Sequence, residues 1–184
     1  MKKETISHKN FLVKNYLKKE SLKKSFDKIV NEVSQKCDSK KNTYHVLSKK
    51  FVFDFKTNDL KKFKRFSNIA IVGMGGSVLG ANAIYDFLKH KIKKKVIFFD
   101  NLDKEKLNKF KKKNNTKDCL FIIISKSGNT IETISNLIEL NILKSNAKNI
   151  IIITEKKQNI LNLIAKKYNL FFIEHKDFLG GRYS

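Results

Sequence analysis

The sequence predicts an α/β fold with a doubly wound, five-stranded parallel sheet and an N-terminal helical extension. Short apolar runs rich in β-branched and aromatic residues predict five strands, at residues 69–73, 95–99, 120–124, 150–153 and 170–173. Segments of helical length separate these runs, at residues 78–90, 103–113, 130–144 and 157–168. Continuous apolar runs that alternate with helices are typical of a parallel sheet covered on both faces.

The first third of the chain has a different pattern. Residues 10–36 place apolar side chains such as Phe26, Ile29 and Val33 at helical spacing, with lysines between them. Shorter helices are predicted near residues 43–50 and 58–65. We therefore divide the chain into an N-terminal helical segment, residues 1–66, that packs on the sheet domain of residues 67–184.

The most conspicuous feature of the composition is a net charge of +23 on 184 residues. Of the 40 basic residues, only Arg65 and Arg182 are arginine. Base readout and bidentate phosphate contacts favour arginine, and the lysines are spread along the chain without forming one stripe. The charge is interpreted as a solvated surface, and no nucleic-acid partner is expected.

Membrane, metal and cofactor functions are not predicted. No apolar run approaches the twenty residues that span a bilayer, and no signal-peptide core follows the lysine-rich N-terminus, so a cytoplasmic protein is expected. Cys37 and Cys119 are far apart and have no metal-ligand spacing, and the histidines form no HExxH pattern. Cys119 opens a strand and is predicted to be a small buried side chain.

A glycine cluster follows the first predicted strand, with the sequence GMGGSVLG over residues 73–80. Glycines at a strand-to-helix turn let the backbone approach an anion at an open helix N-terminus. A dinucleotide fingerprint would need a glycine at Val78, although Asp100 stands where a ribose-binding acid would lie, so that alternative stays open. A Walker A loop is excluded because the chain lacks GK[ST] at the required spacing.

A hydroxyl-rich turn follows the third predicted strand. Residues 125–133 have the sequence SKSGNTIET, and a helix is predicted to begin near Asn129 or Thr130. Free N–H groups at the helix start, together with serine and threonine hydroxyls, suit a phosphate monoester and need no arginine. Simple N-capping requires one such residue, so the surplus of hydroxyls predicts an anion site.

The C-terminal residues 177–184, DFLGGRYS, contain one of the two arginines. Arg182 is a candidate contact for an anion or oxyanion. A frayed tail is the simpler interpretation, but Phe178, Leu179 and Tyr183 fit poorly in a solvated terminus.

Together these motifs resemble the glucose-6-phosphate isomerase family, specifically its N-terminal sugar-isomerase (SIS) subdomain, which has a flavodoxin-like sheet. Residues 73–80 are similar to the family pattern G-[IM]-G-G-S-x-L-G, and residues 125–133 to S-K-[ST]-x-x-T-x-E-T. Residues 100–103, DNLD, are similar to S-N-[VI]-D with an aspartate in the first place, and the C-terminal residues are similar to G-G-R-[FY]-S. SIS domains in general share the hydroxyl loop, so the order of all four motifs carries the resemblance.

The resemblance implies a role for each motif. It implies that Gly76 and Ser77 contact the sugar. It also implies that Arg182 stabilises negative charge on a cis-enediol(ate) intermediate. Glucose 6-phosphate and fructose 6-phosphate would be the substrates in glycolysis and gluconeogenesis, without a cofactor and in a homodimer when the chain is complete. The phosphate would be held by four hydroxyls and one backbone N–H, from Ser125, Ser127, Thr130, Thr133 and Lys126.

The chain departs from the family pattern in one respect. In the family, the glutamate base, the histidine that opens the sugar ring and a late lysine follow the Gly-Gly-Arg segment, whereas this sequence stops at Ser184. Proton abstraction needs a positioned base, so we expect a truncated N-terminal part that is inactive alone. The alternative hypothesis is a stand-alone, non-catalytic SIS module that senses phosphosugars.

Overall fold

A computed structural model describes residues 19–40 and 42–180 of the chain. The described residues divide into two compact units, with the boundary between Phe51 and Val52. The domain division predicted between residues 66 and 67 stays a prediction.

Within the described residues, the first unit contains helix α1, Lys19–Cys37, and a 3₁₀ turn, Thr43–Leu47. The buried His45 ring connects the two, because its Nδ1 lies 2.9 Å from the Cys37 carbonyl oxygen. The helix predicted over residues 10–36 is confirmed where the structure describes it, and its first residues, 10–18, lie outside the described residues.

Within the described residues, the second unit contains five strands that form one fully parallel sheet in the order β2-β1-β3-β4-β5. The strands are β1 Asn68–Val72, β2 Lys95–Phe99, β3 Cys119–Ile124, β4 Ile150–Thr154 and β5 Phe171–Glu174. Each lies within two residues of its predicted position. The chain first adds β2 on one side of β1 and then β3 on the other, so β1 and β3 are the neighbours where the direction of winding changes.

Both faces of the sheet are buried, which explains why the strand sequences are continuously apolar. On β3, Phe121 and Ile123 belong to the larger core cluster, whereas the intervening Ile122 packs with a second cluster on the opposite face. Phe63 and Phe66 cover that second face from the segment that precedes β1. Alternation along each strand therefore supplies two cores from one apolar run.

The helices lie on both faces, which confirms the doubly wound fold. They are α2 Thr57–Leu60, α3 Gly76–Leu88, α4 Lys104–Lys113, α5 Ile131–Leu140 and α6 Ile160–Lys167. The larger core takes Leu107 from α4, Leu137 from α5 and Leu161 from α6. Helix α3 packs on the other face, where the rings of Tyr85 and Phe98 lie 5.8 Å apart. None of the described helices is long and apolar enough to cross a membrane.

The two cysteines are expected to differ sharply in reactivity. Cys119 is fully buried, and this burial raises the pKa of its thiol to about 11, whereas Cys37 is half-buried. At pH 8 the thiolate fraction of Cys119 is about 100-fold smaller than that of a thiol with the ordinary pKa of 9.0. Labelling with a thiol reagent, followed by mass spectrometry, should modify Cys37 first and Cys119 only on unfolding. Equal labelling rates in the native chain would contradict this burial.

Candidate functional site

The two motif turns predicted from the sequence lie side by side at the carboxyl edge of the sheet. The register pairs Val72 of β1 with Ile123 of β3, so the turns that follow these strands start at the same level. Gly73 makes this approach possible, because a Cβ atom there would lie 2.7 Å from the Ile124 carbonyl oxygen and 2.9 Å from Val78 Cγ1. A residue with any side chain at position 73 would push the two turns apart.

The first turn enters helix α3 through Gly75, which has φ +52° and ψ −126°. Residues that carry a side chain rarely adopt this backbone conformation, so glycine suits the position. Gly75 is the N-cap residue, and because glycine has no side chain, helix α3 has no side-chain cap. Gly76 and Ser77, the predicted sugar contacts, form the first residues of α3 and are half-buried.

The second turn brings three of the predicted hydroxyls together. Ser125 Oγ lies 2.8 Å from Thr130 Oγ1 and 3.4 Å from Ser127 Oγ, and the last two oxygens are also 3.4 Å apart. Ser125 is buried and Ser127 is exposed. The Gly128 N–H donates to Ser125 Oγ and the Asn129 N–H donates to Ser127 Oγ, so the loop folds around its own hydroxyls. We call residues 125–130 the hydroxyl loop.

Helix α5 begins directly after this loop with an uncapped N-terminus. Thr130 is the N-cap residue, but its side chain makes no capping hydrogen bond and instead contacts Ser125. Thr133, in the first turn, is fully buried, and its Oγ1 has no hydrogen-bond partner among the described residues. Such a buried polar atom costs about 1–3 kcal/mol when it stays unpaired. The first N–H groups of α5 are therefore hydrogen-bond donors that can bind an anion.

The turn between β4 and α6 holds the hydroxyl loop in place. The Lys126 carbonyl oxygen accepts hydrogen bonds from the Glu155 N–H at 3.1 Å and from Thr154 Oγ1 at 3.2 Å. Further along the loop, the Leu161 N–H donates to the Gly128 carbonyl oxygen at 3.1 Å, and the Ile160 N–H donates to Asn129 Oδ1 at 3.0 Å. The loop is thus bonded to its neighbour at three successive points.

Asn159 fixes the closest of these approaches. It is buried, its Oδ1 caps α6 by accepting from the Asn162 N–H, and its Nδ2 donates to the Glu155 carbonyl oxygen. Gly128 has φ +70°, and a Cβ atom there would lie 2.0 Å from Asn159 Oδ1. Glycine is therefore required at position 128 both by its conformation and by this contact.

The structure accordingly places the predicted site residues in three groups. Ser125, Ser127 and Thr130 are in mutual contact, while Gly76 and Ser77 lie on the adjoining turn. Lys126 lies within the hydroxyl loop, Thr133 lies in the first turn of α5, and Arg182 lies outside the described residues. Sequence analysis did not predict the supporting residues, which are Asn129, Glu155 and Asn159.

No site for a metal ion is formed by the histidine, cysteine, aspartate and glutamate side chains of the described residues. A surface depression of about 560 Å³ lies at the amino end of β5 and does not include the hydroxyl loop. Lys62 and Arg65 line it, and Lys62 Nζ lies 4.1 Å from the centre of the Phe171 ring. This cation is therefore seated on an aromatic face.

Comparison with known proteins identifies the family. The sequence model described as phosphoglucose isomerase matches residues 17–184. The chain belongs to the phosphoglucose isomerase family. It is 37% identical over 133 residues to the glucose-6-phosphate isomerase of Borreliella burgdorferi, a match that covers 66% of this chain and 25% of that protein.

Other members of the phosphoglucose isomerase family give the same result. The glucose-6-phosphate isomerase of Methanocaldococcus jannaschii is 38% identical over 98 residues, which cover 52% of this chain and 24% of that protein. The crystal structure of a glucose-6-phosphate isomerase from Chlamydia trachomatis aligns with a TM-score of 0.56, at 25% identity, over 67% of this chain and 25% of that one. The chain spans about a quarter of the length of the relatives it matches.

Replacing Gly73 with alanine is expected to destabilise the chain by about 1–3 kcal/mol, because the new methyl group meets a backbone oxygen that cannot move independently of β3. Urea unfolding followed by circular dichroism measures the change. Ser145→Ala is the control, since Ser145 is exposed on the turn before β4 and its substitution should change the free energy of unfolding by less than about 0.5 kcal/mol. A Gly73→Ala variant as stable as the wild type would contradict the close approach of the two turns.

Proposed function

We propose that this chain is the phosphate-binding part of a glucose-6-phosphate isomerase, an enzyme that interconverts glucose 6-phosphate and fructose 6-phosphate through a cis-enediol(ate). The observation that carries the proposal is the clustering of Ser125, Ser127 and Thr130 at the uncapped N-terminus of α5. Membership of the family supports the reaction, and the cluster supports the place where the phosphate binds.

The chemistry of the cluster suits a phosphate monoester better than a carboxylate. Three hydroxyls lie within 3.4 Å of one another directly before the first turn of α5. A phosphate monoester offers three acceptor oxygens to such a cluster, whereas a carboxylate offers two. Each hydrogen bond to the charged group contributes roughly 1.5–3 kcal/mol. Thr133 adds a hydroxyl that has no hydrogen-bond partner among the residues that the structure describes. In this proposal the Lys126 backbone N–H completes the set.

The sugar end of the ligand is proposed to lie against the α3 turn. Gly76 and Ser77 belong to that turn, and Gly73 keeps it next to the hydroxyl loop. Arg182 is proposed to stabilise negative charge on the enediolate oxygen, as the family resemblance implies. The complete protein is proposed to act as a homodimer in the cytoplasm, in glycolysis and gluconeogenesis.

These 184 residues are proposed to bind the sugar phosphate without isomerising it. Moving a proton between C1 and C2 requires a base within hydrogen-bonding reach of the carbon-bound proton. In the family, the glutamate base follows the Gly-Gly-Arg segment. The isomerase reaction is therefore proposed for a polypeptide that also carries that base.

A second candidate function is a non-catalytic phosphosugar-binding module. The observation in its favour is that, among the described residues, the backbone hydrogen bonds that hold the hydroxyl loop are formed with residues between 125 and 161. The loop is therefore built entirely within one sheet domain.

The double variant Ser127→Ala/Thr130→Ala is expected to weaken fructose 6-phosphate binding at least tenfold, because it removes two charge-assisted hydrogen bonds. Isothermal titration calorimetry measures the dissociation constant. Ser145→Ala is the matched control, since it removes a hydroxyl from the turn before β4, at the other end of the sheet. Equal affinities for all three proteins would show that the lysine-rich surface, and not the hydroxyl loop, binds the ligand.

The purified chain is expected to show no isomerase activity above background. Loss of deuterium from C2-labelled glucose 6-phosphate, followed by NMR, measures proton transfer directly. Binding with turnover would show that a base within these residues serves the reaction, and binding without turnover is the expected result.

A further inference from the structure

The side chain of Lys126 joins the hydroxyl loop to the segment that follows β5, residues 175–180, which we call the post-β5 segment. Its Nζ donates a hydrogen bond to the Asp177 carbonyl oxygen at 2.6 Å. The far end of the segment is also close, since a Cβ atom on Gly180 would lie 3.1 Å from the same Nζ. One ammonium group is therefore bonded to Asp177 and lies beside Gly180.

A carboxylate on the β4–α6 turn holds this ammonium. Glu155 is buried, with 8% of its surface exposed, and its Oε1 lies 3.8 Å from Lys126 Nζ. Lys157 forms a second ion pair with the same carboxylate. A carboxylate at this depth is stable only when it is paired, so Glu155 favours a lysine side chain at position 126 that turns inward.

The backbone of Lys126 reinforces the same connection. Its carbonyl oxygen accepts from the Glu155 N–H and from Thr154 Oγ1, as described above. The Lys126 side chain and backbone together therefore connect the turns that follow β3, β4 and β5. Residues 126 and 177 are 51 positions apart in the sequence.

We propose that Lys126 is a positioning residue, whose ammonium holds the post-β5 segment against the hydroxyl loop and does not contact the phosphate. The Nζ donors are directed at Asp177 and Glu155, on the side of the loop that carries the neighbouring turns. The post-β5 segment continues in the sequence into Gly181 and Arg182. The geometry alone supports the inference that Lys126 orders this segment. The inference that this order affects ligand binding rests on the proposed function.

Amide hydrogen exchange tests the ordering without any ligand. The Leu179 N–H donates to the Lys176 carbonyl oxygen at 3.2 Å within the post-β5 segment, so its exchange reports the order of that segment. Lys126→Met is expected to speed this exchange roughly five- to tenfold, because it removes the bond to Asp177. Lys157→Met is the matched control, since it removes an equal charge from the same carboxylate and leaves the contact with Asp177 in place.

Two further variants distinguish loss of the Lys126 contact from general misfolding of the chain. Lys126→Arg keeps a cationic donor and should restore exchange at Leu179 to within about twofold of the wild type. Glu155→Gln removes the charge that holds Lys126 and should accelerate exchange in the same direction as Lys126→Met. Unchanged exchange at Leu179 in both Lys126→Met and Glu155→Gln would overturn the proposal.

Titrations with two ligands separate positioning from direct contact. Lys126→Met should weaken fructose 6-phosphate binding several-fold and leave the affinity for inorganic phosphate unchanged, because the hydroxyl loop that holds the phosphate is intact. Equal losses for both ligands would show that the ammonium contacts the phosphate, which would overturn the proposal. If the wild-type chain binds neither ligand, the proposed function fails, while the exchange measurement still decides the role of Lys126.

Discussion

The candidate site depends on the lateral pairing of β1 with β3. These strands are neighbours because the winding of the sheet changes direction between them, and their register brings Gly73 against the Ile124 carbonyl. The glycine turn and the hydroxyl loop can then share one edge without a side chain between them. The starts of α3 and α5 lie together at this edge because these two strands end there.

The hydroxyl loop is held by hydrogen bonds among its own residues, and these bonds stabilise its buried polar groups. Ser125 is buried, and its burial is tolerated because its oxygen meets Thr130 Oγ1 and the Gly128 N–H. Thr133 is the exception, a buried hydroxyl without a partner among the described residues. A loop fixed in this way has little conformational entropy left to lose on binding, so more of each hydrogen bond contributes to affinity.

The sequence was sufficient to predict the strands, most helices and the hydroxyl cluster, because these depend on local patterns. Apolar runs located all five described strands to within two residues, and SKSGNT located the turn before α5. The supports of the site could not be predicted, since the bonds from Asn129 to Ile160 and from Lys126 to Asp177 join residues 31 and 51 positions apart. Asn159 has the sequence signal of a helix cap, but its contact with Gly128 follows only from the sheet order.

Electrostatic attraction by the net charge of the chain acts over longer distances than the hydrogen bonds that recognise a ligand. A net charge of +23 attracts anions over about 10 Å at 0.1 M salt, and this attraction affects the rate of encounter with any anion. At the loop itself, the ammonium group of Lys126 is directed at Asp177 and Glu155. The groups that then face a ligand are neutral hydroxyls and N–H dipoles, which act only at hydrogen-bonding distance and in fixed directions. In the proposed function, these directed groups, and not the overall positive charge, select a phosphate group from the many other anions that the lysines attract.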